Sequence, residues 1–155
     1  MKHLIPEFDE WFKRYPPDFK GSLAIPCIRR IQEERGFVSD SDLDELTTYL
    51  GVPRIQIDEV MAFYTQFRRA PIGKCHLQVC HNVSCSMRGA EEVIAHLSER
   101  LGFGVGETTT DGKFTISRVE CLASCGTAPM LQLNDEFREN LTPASLDAII
   151  SEWSV

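Results

Sequence analysis

Two short cysteine pairs constrain this chain more than any other feature of its sequence. Cys80 and Cys85 form a C-x4-C pair, and Cys121 and Cys125 form a C-x3-C pair. The 35 residues between the pairs are enough for a βαβ-type excursion that returns the chain beside its starting point. This arrangement favours one small inorganic centre that is held by four thiolates.

The composition limits the classes of protein to which the chain can belong. With 155 residues, of which 43% are hydrophobic, it is long enough for one domain with a helical attachment. A net charge of −7 argues against a nucleic acid partner, since phosphate binding requires an excess of Lys and Arg. No apolar run reaches the roughly 20 residues of a membrane span, and the first residues lack the apolar core of a signal peptide. We therefore expect a cytoplasmic protein.

Cysteines in a reducing compartment indicate metal ligands or redox groups before disulfides. Six cysteines are also too few for a disulfide scaffold of this length. Iron is well held by soft thiolates, and a two-iron, two-sulfide cluster requires four of them, two for each iron. A tetrahedral zinc site is an alternative, although zinc loops more often have C-x2-C spacing. Disulfides are a further alternative.

The first 70 residues predict a bundle of four helices. Apolar residues recur there at helical spacing, and prolines or glycines mark the predicted ends. Such stripes indicate a core or an interface rather than a cofactor site. Ser39 and Asp42 are expected to cap the third helix. The predicted helices cover residues 6–15, 22–35, 39–50 and 53–64, and a linker follows at residues 68–73.

From residue 74 the pattern changes to that of a small sheet flanked by helices, in the order β-α-β-β-β-α. Asp111 and Gly112 are expected to form a hairpin-type turn between the second and third strands. Both cysteine loops would follow strand ends, where such sheets usually place their sites. Cys85 would lie at or just before the N-terminus of the first helix. The predicted strands cover residues 74–80, 108–110, 114–119 and 129–133, and the predicted helices cover residues 86–101 and the segment after Thr142.

Several further features are better explained without a role in cofactor binding. Cys75 shares a strand face with apolar residues and Cys27 lies on a helix stripe, so both are predicted to be buried hydrophobic residues. His81 is not expected to be a ligand, because four cysteines already suffice. The glycine-rich residues 102–106 lack G-x-G-x-x-G spacing and follow a helix, which argues against a dinucleotide loop. The absence of a C-x-x-C motif argues against a thioredoxin-type catalyst.

The cysteine pattern resembles that of the thioredoxin-like [2Fe–2S] ferredoxin subunit of NADH dehydrogenases. This is the 24 kDa family of respiratory complex I, with related chains in NAD-linked formate dehydrogenases and hydrogenases. Residues 62–67, 111–115 and 141–143 resemble other parts of the family. Ala123 departs from the family, which often has Gly at this position.

The resemblance implies an α+β fold in two parts. Residues 1–70 would form an N-terminal helical bundle that binds a partner, and residues 74–155 a thioredoxin-like [2Fe–2S] ferredoxin domain. The implied ligands of the [2Fe–2S] cluster are Cys80, Cys85, Cys121 and Cys125.

The resemblance also implies an electron carrier that has no complete active site of its own. A partner flavoprotein subunit would hold FMN, bind NADH and carry a [4Fe–4S] cluster, and further iron–sulfur subunits would complete the complex. The chain would then be cytoplasmic and peripheral to the inner membrane through its parent complex. The alternative is a structural zinc or iron–sulfur scaffold without a redox role. Quinone, protons, carbon dioxide and another ferredoxin are all compatible terminal acceptors.

Overall fold

The computed structural model describes residues 1–154, and the chain divides into two compact units between Pro71 and Ile72. This boundary lies within the stretch that the sequence suggests as a linker. The first unit is helical, with two short 3-10 helices at Lys2–Leu4 and Pro17–Leu23. Its α-helices are α1 (Ile5–Phe12), α2 (Ala24–Arg35), α3 (Asp40–Leu50) and α4 (Arg54–Phe63).

The apolar stripes of the four helices meet in one core. Phe8 of α1, Ile28 of α2, Leu46 of α3 and Ile57 of α4 are all fully or almost fully buried in it. Helix α1 ends at Phe12, three residues earlier than predicted. Tyr15 cannot extend it, because a residue that precedes proline is disfavoured in the helical region.

Helix α3 begins with the predicted capping pair. The Asp42 backbone N–H donates to the Ser39 hydroxyl over 3.2 Å, and the Ser39 N–H donates to the Asp42 carboxylate over 3.1 Å. The Asp42 carboxylate is buried and also accepts from the Arg35 guanidinium at 3.0 Å. These bonds satisfy donors that a helix start otherwise leaves unpaired.

The second unit contains a four-stranded sheet in the order β2-β1-β3-β4. Strand β1 pairs parallel with β2, whereas β3 pairs antiparallel with both β1 and β4. The mixed α+β class predicted from the sequence is therefore confirmed. In chain order the elements are β1 (Cys75–Cys80), α5 (Val83–Met87), α6 (Ala90–Leu101), β2 (Phe114–Val119), β3 (Leu131–Leu133), β4 (Glu136–Arg138) and α7 (Pro143–Ser154).

The helices α6 and α7 supply the apolar side chains that cover the sheet. Leu97 of α6 and Leu146 of α7 are buried in one cluster with Leu77 of β1 and Ile116 of β2. Cys75 is fully buried in this cluster, as predicted. None of the helices within residues 1–154 is long and apolar enough to cross a membrane.

The strand predicted at residues 108–110 is wrong. Only an isolated bridge joins Thr108 to Thr115, because the Thr109 hydroxyl accepts from the backbone N–H groups of Lys113 and Phe114 and bends the chain into a turn. Strand β4 was not predicted from the sequence. Its three residues, Glu136–Arg138, lie at a sheet edge and are too few for an apolar alternation to indicate a strand.

The single helix predicted at residues 86–101 is also wrong, because it is two helices. Gly89 breaks it with a left-handed backbone, at a φ of 98°, and Ala90 starts α6. Cys85 consequently lies inside the short helix α5, rather than at or before the N-terminus of a long one.

Replacement of Ser39 by Ala should lower the free energy of unfolding by about 1 kcal/mol, because α3 loses its side-chain cap. Urea denaturation followed by circular dichroism measures this change. Ser41→Ala is the matched control, since Ser41 is exposed in the same helix and should change stability by less than about 0.5 kcal/mol. Equal shifts for the two variants would contradict the role of the cap.

Candidate metal centre

The parallel pairing of β1 and β2 brings both cysteine loops to one edge of the sheet. Cys80, the last residue of β1, lies opposite Val119, the last residue of β2. The backbone N–H of His81 donates to the Val119 carbonyl over 3.1 Å and carries the pairing one step further. Because adjacent parallel strands end at the same edge of the sheet, both cysteine loops start at that edge.

The first loop folds into the short helix α5. The Asn82 side-chain oxygen caps this helix and accepts from the Val83 N–H at 2.9 Å. The Ser86 hydroxyl donates to the His81 carbonyl over 2.6 Å and closes the loop. This turn brings the Cys85 sulfur within hydrogen-bonding contact of Cys80. Both cysteines are only 2% exposed.

Burial is the main cause that raises the pKa of the Cys85 thiol to about 11, and the hydrogen bond and charge of Cys80 add to the rise. The backbone N–H of Met130 donates to the Cys85 sulfur and opposes this increase. The charge of Cys125 also raises the pKa, so a sulfur of the second loop lies close enough to Cys85 to act on it. The Cys125 sulfur of the second loop therefore lies in the neighbourhood of the buried Cys85.

The second loop is open to solvent. Cys121 and Cys125 are both exposed, and their sulfur atoms lie 3.6 Å apart. The backbone N–H of Ala123 donates to the Cys121 sulfur over 3.4 Å. Ala123 has a φ of 63°, a left-handed conformation that is uncommon for a residue with a side chain. The close approach of the two sulfurs thus goes with a tightly turned backbone.

Glu139 anchors the second loop to the chain that leaves β4. Its carboxylate accepts from the hydroxyls of Ser124 and Thr127, the latter over 2.8 Å. These two bonds lower the pKa of the Glu139 carboxyl. The sequence analysis missed Glu139, since nothing local connects it to a cysteine pair and the strand before it, β4, was missed as well.

The four cysteines fit a two-iron cluster. Two thiolates on one tetrahedral metal, with bonds of about 2.3 Å, have sulfur atoms about 3.8 Å apart. The Cys121–Cys125 distance of 3.6 Å is close to this value, and Cys80 contacts Cys85. Each loop therefore offers one close pair, as a cluster with two ligands for each iron requires. No group of three or more His, Cys, Asp or Glu side chains within residues 1–154 is placed to hold one metal ion.

The other candidate residues lie away from this group of sulfurs. Cys27 is buried in the core of the first unit, and Cys75 lies at the opposite end of β1 from Cys80. Burial raises the pKa of each of these thiols to about 12. The His81 ring is directed to Glu120, with 3.7 Å between Nε2 and Oε1.

Comparison with known proteins gives a consistent result. The model of the thioredoxin-like [2Fe–2S] ferredoxin family matches residues 8–154. The chain is 41% identical over 144 residues to NADH-quinone oxidoreductase subunit 2 of Thermus thermophilus, in an alignment that covers 92% of this chain and 80% of that protein. It is 43% identical over 140 residues to an NADH-quinone oxidoreductase subunit of Rhizobium meliloti, in an alignment that covers 90% of this chain and 82% of that protein.

A solved structure shares the fold. The NAD+-reducing [NiFe]-hydrogenase in its air-oxidized state superposes with a TM-score of 0.69 at 21% sequence identity. The superposition covers 83% of this chain but only 22% of the hydrogenase chain. This likeness therefore concerns the architecture of one part of that protein.

The two classes of cysteine should differ in reactivity once the protein is free of metal. Iodoacetamide at pH 8 should alkylate Cys121 and Cys125 well before Cys27 and Cys75, because the latter are buried and remain protonated far above that pH. Peptide mass mapping measures the labelling, with guanidinium-unfolded protein as the control in which all six react. Labelling of Cys75 as fast as Cys121 in the folded chain would contradict this assignment.

Proposed function

Because this chain belongs to the thioredoxin-like [2Fe–2S] ferredoxin family, we propose that it is the [2Fe–2S] electron-transfer subunit of an NADH dehydrogenase module. The observation that carries the proposal is the convergence of the two cysteine loops at one edge of the sheet. Two relatives that match most of the chain are subunits of NADH-quinone oxidoreductases by name, which supports the assignment to such a complex.

The proposed ligands are Cys80 and Cys85 for one iron, and Cys121 and Cys125 for the other. The 3.6 Å separation of the Cys121 and Cys125 sulfurs and the hydrogen bond between Cys80 and Cys85 support this division. One iron would then be held by a buried loop and the other by an exposed loop.

When bound, a [2Fe–2S] cluster accepts and releases one electron at a time. The chain supplies the surroundings that adjust this chemistry. The backbone N–H groups of Met130 and Ala123 donate to the sulfurs of Cys85 and Cys121, and such bonds stabilise negative charge on the ligands. The burial of Cys80 and Cys85 keeps water from one side, whereas the exposed second loop gives a partner access from the other.

The proposed partner is a flavoprotein subunit that holds FMN, binds NADH and carries a [4Fe–4S] cluster, within a complex that has further iron–sulfur subunits. The helical residues 1–70 are proposed as the partner-binding region. Ile55 and Phe63 of α4 are 63% and 78% exposed and lie eight residues apart, on one face of the helix. Exposed apolar side chains on a shared face support an interface with another protein.

The hydrogen chemistry of the superposed hydrogenase is not proposed for this chain, since the match covers a minor part of that protein. The terminal acceptor is likewise left open by the site. A cytoplasmic location, peripheral to the inner membrane through the parent complex, stays a prediction from the sequence.

Replacement of Cys80, Cys85, Cys121 or Cys125 by Ser should each impair cluster binding, because each removes one of four thiolates. Visible absorbance of the purified protein and the paramagnetic resonance signal of its reduced form measure the effect. Cys75→Ala and Cys27→Ala are the matched controls and should retain both signals. A normal cluster signal in Cys121→Ser would refute the ligand assignment.

Electron transfer from NADH separates this function from that of a structural scaffold. NADH should reduce the cluster of the holoprotein only when the flavoprotein partner is present, since the proposal places the nicotinamide site on that partner. Bleaching of the visible absorbance follows the reduction, and dithionite serves as the positive control. A centre that dithionite reduces but NADH with flavoprotein does not, or a centre that contains zinc, would favour the scaffold.

A further inference from the structure

Two hydrogen bonds tie the first cysteine loop to the second. The Asn82 side-chain amide donates from Nδ2 to Oε2 of Glu120 over 2.9 Å, and the Arg88 guanidinium donates to the Gly126 carbonyl over 3.2 Å. The first bond lies beside the cysteines at positions 80 and 121, and the second beside those at positions 85 and 125. Each tie therefore joins the neighbourhood of one ligand in the first loop to that of one ligand in the second.

Both ends of the Asn82 amide are used. Its Oδ1 accepts from the Val83 N–H at 2.9 Å and starts α5, while its Nδ2 reaches Glu120. A side-chain amide carries its acceptor and its donor on separate atoms, so one short side chain can make both contacts. The His81 ring faces the other carboxylate oxygen of Glu120, so both oxygens of this residue are approached from the first loop.

We propose that Asn82 and Glu120 form an inter-loop clasp that holds the two cysteine loops at the spacing that the cluster requires. Asn82 is then a positioning residue, which acts through the loops and not on the cluster. Loss of the cluster requires the loops to separate, and a tie between them keeps the thiolates of both loops at a high effective concentration. This inference rests on the ligand assignment proposed above.

The clasp predicts which substitutions should loosen the cluster. Asn82→Ser keeps a capping oxygen for α5 but removes the Nδ2 group that reaches Glu120 and leaves only a shorter hydroxyl. Asn82→Asp keeps the oxygen but places two carboxylates against each other. Glu120→Gln preserves the clasp, because the Asn82 amide can donate to a Gln carbonyl. The double variant Asn82→Asp with Glu120→Gln restores a donor and acceptor pair with reversed polarity and has the same net charge as the natural protein.

The measurement is the rate at which oxidised holoprotein loses its visible absorbance in excess iron chelator. Asn82→Ser should lose its cluster about three- to fivefold faster than the natural protein, the size expected for one solvent-accessible hydrogen bond. Asn82→Asp should be faster still, whereas Glu120→Gln and the double variant should stay within about twofold of the natural rate.

The competing roles of Asn82 predict different rates. If Asn82 only caps α5, both single variants at position 82 retain the cap and lose the cluster at the natural rate, which would overturn the clasp. If local charge alone matters, Asn82→Ser loses its cluster at the natural rate and Glu120→Gln loses it more slowly. This result would also overturn the clasp. Failure of the double variant to recover would refute the paired contact. If Cys121→Ser retains a normal cluster, the ligand assignment itself fails. If Cys121→Ser loses its cluster, the assignment holds and the rates at positions 82 and 120 test the clasp alone.

Discussion

The parallel pairing of β1 with β2 is the constraint on which the site depends. Two adjacent parallel strands must end at the same edge of a sheet, and here one ends at Cys80 and the other at Val119. An antiparallel pair would send the two cysteine loops to opposite edges. The residues between the end of β1 and the start of β2, which include α6, form the crossover that parallel pairing requires.

The third strand completes the surroundings of the site. Met130, just before β3, accepts from the Cys80 N–H over 3.2 Å and donates its own N–H to the Cys85 sulfur. Its side chain is fully buried with Ala128 beneath the first loop. Backbone contacts from neighbouring segments therefore hold the buried cysteines in place. Glu139 and the hydrogen bonds from Asn82 and Arg88 restrain the exposed loop. The proposed centre would therefore have one shielded side and one accessible side.

Much of this could be predicted from local pattern. The cap at Ser39 followed from known helix-end chemistry, and the glycines that end α2, α3 and α6 fit the same rules. The four-thiolate centre that the spacing of the cysteines indicates stays a prediction. The thioredoxin-like [2Fe–2S] ferredoxin fold is confirmed by the family match and the mixed sheet. These features depend on residues that are neighbours in the sequence, so periodicity and spacing are sufficient to find them.

The features that were missed leave no periodic pattern in the sequence. Strand β4 has three residues and pairs with β3 across the turn at Asn134, so it depends on that turn more than on its own composition. Glu139 and the Asn82–Glu120 contact join residues that lie far apart in sequence. The break at Gly89 precedes the apolar stripe of α6, which begins at Ala90, so hydrophobic periodicity gives no sign of it.

Iron K-edge X-ray absorption of the purified holoprotein tests most directly whether two loops from parallel strand ends hold one binuclear cluster. We expect a first shell made up of sulfur alone and a single iron neighbour at short range, as two thiolates and two bridging sulfides on each iron require. Nitrogen or oxygen in the first shell, or the absence of a neighbouring iron, would contradict the four-cysteine centre described here.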